Sequence, residues 1–228
     1  MTELFAIRLI EEAAFEQLKP ALLKLLPSET CDKINAFARS NDAQRSLLGE
    51  IMARHLLHKA TGETLPDEPF ITGEKGKPAH DGFRGIYFNI THSGDWVVVA
   101  LSLCRVGVDV EKMRKVPQGV AQRFFSEVEN QWMDSATNEA GRKDIFFTLW
   151  TLKESFLKAI GTGLTKSLSS FTIVHQENRH FELEQNEETN GFKLFTFEFM
   201  NGYKLSACSE DGEFEPRVNI LNIEELIF

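Results

Sequence analysis

The run Trp96-Val97-Val98-Val99-Ala100-Leu101-Ser102-Leu103, followed closely by Val106-Gly107-Val108-Asp109-Val110-Glu111, constrains this chain more than any other feature. Both segments are rich in β-branched residues, which predicts two buried strands. Side chains alternate along a strand, so Val106, Val108 and Val110 share one face, and Asp109 and Glu111 share the other. Two acids on one face of a buried strand must be neutralised, because unpaired buried charge is costly. A metal ion would do this, and so would a structural salt bridge.

Further along, Phe146, Phe147, Leu149, Trp150, Phe156, Leu157 and Ile160 predict a helix from Asp144 to Ile160, closed by Gly161-Thr162-Gly163. It is apolar over much of its surface, so its few charges occupy a narrow polar seam. Glu154 and Lys158 are four apart and share a face; as a plain helix pair they stabilise by roughly 0.2–0.5 kcal/mol. If this helix packs beside the acidic strand, three carboxylates and an ammonium meet at one point. That set suits a Mg²⁺ holding a phosphate-bearing substrate.

The remaining pattern is mixed. A strand is predicted over Leu4–Leu9, a helix over Glu11–Leu26 and a longer helix over Asp42–Ala60. A turn-rich loop at Gly73–Gly85 follows, then a strand at Ile86–Ile90 broken by Thr91-His92-Ser93-Gly94-Asp95. Helices are expected at Val120–Phe124 and Ser126–Ala136, with a loop at Asn138–Lys143. Antiparallel strands are expected at Ser170–Val174, His180–Glu184, Phe192–Phe199 and Tyr203–Ser209. The expected boundary falls just after Glu111, giving an N-terminal half, 1–111, and a C-terminal half, 112–228.

The net charge of −9 argues against a nucleic-acid or anionic-membrane binder, yet allows a small anionic ligand in a local basic pocket. Cys31, Cys104 and Cys208 are far apart without CxxC spacing, giving neither a disulfide framework nor a zinc site, and read as small core residues. With no signal peptide or membrane-length apolar run visible, a soluble cytoplasmic protein is expected. Three weaker features point to an anion. Gly73-Glu74-Lys75-Gly76-Lys77-Pro78 is a basic turn. Asn89-Ile90-Thr91-His92-Ser93 offers a hydroxyl and an imidazole at a strand end. Arg45-Ser46 places a cation near a helix start, where the dipole does not favour it. Each has an ordinary alternative: a solvated loop, a structural histidine, a surface arginine.

The order of these segments is more specific than any one of them. Arg45-Ser46-Leu47-Leu48-Gly49-Glu50, Gly76-Lys77-Pro78, Phe88-Asn89-Ile90-Thr91-His92-Ser93, Gly107-Val108-Asp109-Val110-Glu111, Arg123-Phe124-Phe125-Ser126 with Glu129, and Trp150-Thr151-Leu152-Lys153-Glu154 through Lys158 occur in turn. In these the chain resembles the 4′-phosphopantetheinyl transferases of the surfactin-synthetase-activating type, from about Leu26 to near the C-terminus.

The resemblance implies an α+β fold in which two similar halves form a pseudo-dimer within one chain, with coenzyme A in the cleft between them. It implies transfer of the 4′-phosphopantetheine arm of coenzyme A to a serine of an apo carrier protein (peptidyl, acyl or aryl), as in nonribosomal peptide and polyketide biosynthesis. Mg²⁺ would be held by Asp109, Glu111 and Glu154, with Lys158 on the phosphates and Glu154 or Glu129 as the base for the serine. The nucleotide and its 3′-phosphate would meet Lys33, Arg45, Ser46, Lys77, Thr91 and His92. Thr30 stands where some relatives carry a further lysine. The stretch Arg123–Met133, with Trp132 and Met133 read as exposed, would receive the carrier. The short fatty-acid-type synthases are trimers, whereas 228 residues supply both halves, so a monomer is expected. A non-catalytic coenzyme A or carrier binder and a Mg²⁺-dependent phosphohydrolase are the competing readings.

Overall fold

The structure, a computed structural model, describes residues 1–70, 83–116, 118–162, 166–176, 178–184 and 191–226. β1 (Thr2–Arg8) leads into α1 (Glu12–Leu23), α2 (Ser28–Asn35) and the long α3 (Ser40–Thr61), then β2 (Tyr87–Ser93) and β3 (Trp96–Ser102). β4 (Val106–Lys112) opens a second, similar succession: α4 (Val120–Phe124), α5 (Glu127–Asp134), the long α6 (Glu139–Ile160), and β5 (Ile173–His175), β6 (His180–Leu183), β7 (Lys193–Phe197) and β8 (Tyr203–Ser209). β9 (Phe214–Leu221) ends the chain's regular strands. Both long helices stop at a left-handed glycine, Gly62 and Gly161, whose N–H caps the last turn.

The strands form two sheets, ordered β2-β3-β1-β9 and β4-β8-β7-β6-β5. Alternation along β3 explains the layering. Val97, Val99 and Leu101 join a core with α1, α2 and α3, while Trp96, Val98 and Ala100 face the second sheet. Val106, Val108 and Val110 enter that same inter-sheet core with Phe195, Phe197 and Leu205. A third core lies between the second sheet and α4, α5 and α6. The architecture is therefore helices, sheet, sheet, helices: the expected α+β pair of halves.

Several sequence expectations differ from the structure, each for a local reason. The expected helix Glu11–Leu26 is shorter and is followed by α2, which starts after Pro27. The expected loop Asn138–Lys143 is the start of α6, where the Asn138 side chain accepts from Gly141 N at 2.8 Å. β2 does not break at Thr91; it runs to Ser93. β9 was not foreseen. It carries Pro216 and several polar residues, which an exposed edge strand tolerates. The boundary after Glu111 also shifts. β4 pairs with β8 along its whole length, so it belongs to the second sheet, whereas β9 lies parallel to β1 in the first. Of the cysteines, Cys208 alone is fully buried; Cys31 and Cys104 are half-buried.

The two sheets meet through side chains rather than a shared ladder. β4 is an edge strand, and its outward N–H groups need acceptors. Asn89 Oδ1 accepts from Val108 N at 2.9 Å, Thr91 Oγ1 from Val110 N at 3.4 Å and Ser93 Oγ from Lys112 N at 3.1 Å. This seam is why β2 continues through Thr91-His92-Ser93.

Candidate active site

The acidic residues lie on that seam. At Gly107 an added Cβ would sit 2.0 Å from Ser155 O and 2.4 Å from Ala159 N, so a glycine lets the backbone of α6 approach β4 this closely. The approach brings Lys158 to Asp109. Lys158 Nζ donates to Asp109 Oδ1 at 2.6 Å, to Thr91 Oγ1 at 3.0 Å and to Val108 O at 3.2 Å. Thr91 donates to the same Asp109 oxygen at 3.3 Å, while Asp109 Oδ2 is buried and has no hydrogen-bond partner among the described residues. Glu111 accepts from Ser93 Oγ at 2.8 Å. Glu154 is half-buried one helical turn before Lys158.

Burial pushes all three carboxyls above their usual range. The Asp109 charge raises Glu154 and Glu111 further, while Lys158 opposes the shift at Asp109 and Ser93 opposes it at Glu111. The folded state thus holds more protons than the unfolded one between the usual and the raised values. Stability contributed by these groups falls as pH rises through that window and is unaffected below it. Magnesium is therefore expected to raise Tm by more at about pH 7.5 than at about pH 4, because it relieves a repulsion present only in the ionised cluster. Equal increments by scanning calorimetry would contradict this.

A cationic group flanks the acids. Arg45 on α3 donates to Gly94 O at 2.6 Å and to Asp42 Oδ1 at 2.7 Å. His92 is exposed at the mouth of the seam, yet its pKa is pushed down by partial desolvation and by the Arg45 and Lys158 charges. Ser46 is half-buried beside Arg45. Lys33 is exposed on α2 and paired with Glu29 at 3.3 Å, and Thr30 is buried beneath it. Lys77 lies outside the described residues.

Glu129 is elsewhere. Its side chain and that of Lys153 are both 0% exposed and 2.8 Å apart. Glu129 also closes a capping box with Ser126 at the start of α5 and accepts from Ile173 N at 2.6 Å. Lys153 donates to Leu168 O and Phe171 O at 2.7 and 2.5 Å. Every oxygen of Glu129 is committed to the fold, so the structure does not bring this expected base to the other acids. Met133 is likewise buried rather than exposed, one turn on from Glu129 on the same face; Trp132 is half-buried and stacks on His175. The exposed apolar side chain of α5 is Val128.

Among the described residues, no three His, Cys, Asp or Glu side chains close around an ion as the side chains stand. The donor set itself suits a hard divalent cation: oxygen ligands only, mutually repelling, with the orphaned Asp109 Oδ2 among them. Residues 105–208 match the model of the 4′-phosphopantetheinyl transferase superfamily, and residues 14–104 match a 4′-phosphopantetheinyl transferase N-terminal model. A 4′-phosphopantetheinyl transferase of Bacillus subtilis, ffp, is 32% identical over 207 residues, 90% of this chain and 92% of that one. The chain belongs to the 4′-phosphopantetheinyl transferase superfamily. Another member, gsp of Aneurinibacillus migulanus, is 38% identical over 183 residues, 78% of this chain and 75% of its own. In this phosphopantetheinyl transferase the two family matches meet between residues 104 and 105, in the turn that precedes β4.

Ser93, Asn89 and Gly107 carry weight that the sequence reading did not assign to them. Their signal was present: Asn89, Thr91 and Ser93 alternate with period two, which marks one polar face of a strand.

Proposed function

We propose that this chain transfers the 4′-phosphopantetheine arm of coenzyme A to a serine hydroxyl of an apo carrier protein, releasing adenosine 3′,5′-bisphosphate. One observation carries the reading: Asp109, Glu111 and Glu154 stand beside Lys158, with Arg45 and His92 in the same field, along the seam of the two halves. Acids for a cation beside cations for phosphates match a pyrophosphate nucleotide. Asp109, Glu111 and Glu154 would hold Mg²⁺, which when bound polarises the attacked phosphoryl group and stabilises charge on the leaving phosphate. Lys158 moves its charge from Asp109 toward the pyrophosphate. Arg45 and His92 receive the 3′-phosphate, with Lys33, Ser46, Lys77 and Thr91 as the remaining nucleotide contacts. Glu154, which among the described residues draws no hydrogen bond from the seam, takes the serine proton directly or through water; its raised pKa suits that task. The serine oxygen bonds to the pantetheine-bearing phosphorus, and the bond from that phosphorus to the bridging oxygen breaks.

The carrier would dock near α4 and α5. The residues lining a surface cleft there include Lys115, Arg142 and Lys143 against a single acid, Glu139, together with Val116, Ala121 and Met133. This local basic, partly apolar surface suits an acidic carrier despite the overall charge of −9. The test is chromatographic. Adenosine 3′,5′-bisphosphate is expected only when coenzyme A, magnesium and an apo carrier are all present. Release from coenzyme A without a carrier would support a phosphohydrolase instead.

A further inference from the structure

The nucleotide-facing arginine is held by a peptide group that the opposite half of the molecule also grips. Arg45 Nη1 donates to the carbonyl of Gly94, in the turn between β2 and β3. The N–H of Asp95 donates to Tyr203 Oη at 3.0 Å. Gly94 C=O and Asp95 N–H belong to one planar peptide unit, so Arg45 and Tyr203 hold its two ends. Tyr203 comes from β8 of the second sheet, where it pairs with Lys112; the turn belongs to the first sheet. Its hydroxyl also donates to Asp95 Oδ2 at 3.3 Å, and Lys112 Nζ reaches the same oxygen at 3.2 Å. Gly94 has φ +57°, and a Cβ there would lie 2.4 Å from Tyr203 Oη and 2.6 Å from Lys112 Cδ, so the latch itself requires glycine.

We propose that Tyr203 is a positioning residue for nucleotide binding: through the Gly94–Asp95 peptide it orients Arg45, and with it the end of β2 that carries His92. The peptide plane is rigid, so loss of the tyrosine hydroxyl frees it to rotate and removes the fixed acceptor on one side of the guanidinium. Asp42 is then the fixed partner left to Arg45 among the described residues. This inference rests on the reading that Arg45 and His92 receive the 3′-phosphate of coenzyme A.

Tyr203→Phe keeps the ring, which contacts Phe199 and Lys112, and removes only the hydroxyl. Binding of coenzyme A and of 3′-dephospho-coenzyme A, each with magnesium, is measured by titration calorimetry on the full chain. A hydrogen-bond contribution of this kind corresponds to about threefold to tenfold in affinity. The Kd for coenzyme A is expected to rise by that factor, that for the dephospho form by less than about twofold, and kcat at saturation to stay within about twofold. Gly94→Ala, whose Cβ would push directly on the Tyr203 hydroxyl, is expected to show the same pattern. If Tyr203→Phe weakens both ligands equally, or neither while Tm falls, Tyr203 is only structural and the inference is overturned. Arg45→Ala separates the two levels. It should cut discrimination between the ligands severalfold, His92 supplying the remainder; if discrimination is unchanged, the nucleotide-site reading fails and this inference with it.

Discussion

Glu129→Ala is expected to destabilise the C-terminal half rather than to impair chemistry in the folded enzyme. The substitution removes the partner of a fully buried ammonium, opens the capping box of α5 and leaves Ile173 N without an acceptor. Burial already pushes the Lys153 pKa down, with Glu129 opposing that shift, so losing the carboxylate leaves a charge the site cannot solvate. Breaking such a pair costs about 3–5 kcal/mol, which in a chain of this size lowers Tm by roughly 10 °C. The double variant Glu129→Gln with Lys153→Met removes both charges and is expected to recover much of the loss, because apolar replacements of a whole buried pair are often near neutral. Calorimetry and a transfer assay on the same samples decide the matter. A Glu129→Ala protein with wild-type Tm and no transfer would return Glu129 to the catalytic machinery.

Asp109→Ala and Glu154→Gln are expected to do the opposite, abolishing transfer in a protein that stays folded. Among the described residues Glu154 makes no hydrogen bond across the seam, and Lys158, 26% exposed, turns to solvent when Asp109 is removed. Because the two acids repel each other, removing one relieves strain in the cluster and is expected to hold or raise Tm without divalent ions. Transfer falls by about a hundredfold or more, the scale of several kcal/mol of charge stabilisation in the transition state. The double variant should be little worse than either single one, since residues that act as a unit are not additive. Near-wild-type rates in both single variants, at matched fold, would refute the assignment of the acids.

Much of this site was legible because its signals are local. The period of two in Val106–Glu111 placed both acids on one face, and the spacing of four placed Glu154 with Lys158. That strand and helix would touch was only a condition; Gly107 meets it, and a single glycine in a strand does not announce which neighbour will approach. Glu129 misled because a charged residue on a short helix ordinarily faces solvent. The warning lay in Lys153, which falls on the same stripe as Leu149 and Phe156: a cation on a buried face requires a buried acid. β9 escaped because an exposed edge strand needs no apolar alternation, and its place beside β1 depends on a contact between the two ends of the chain. The Tyr203 latch is also non-local, joining residues 108 positions apart.

The central claim is that the acids and cations along this seam hand a phosphopantetheine arm to a carrier serine. The most direct measurement is the intact mass of an apo peptidyl carrier protein after incubation with this enzyme, coenzyme A and magnesium, with parallel acyl and aryl carriers and an EDTA control. The account predicts a mass gain of one phosphopantetheine arm on the carrier serine, abolished by EDTA and by Asp109→Ala. No gain on any carrier, or a gain that persists in EDTA and in Asp109→Ala, would contradict it.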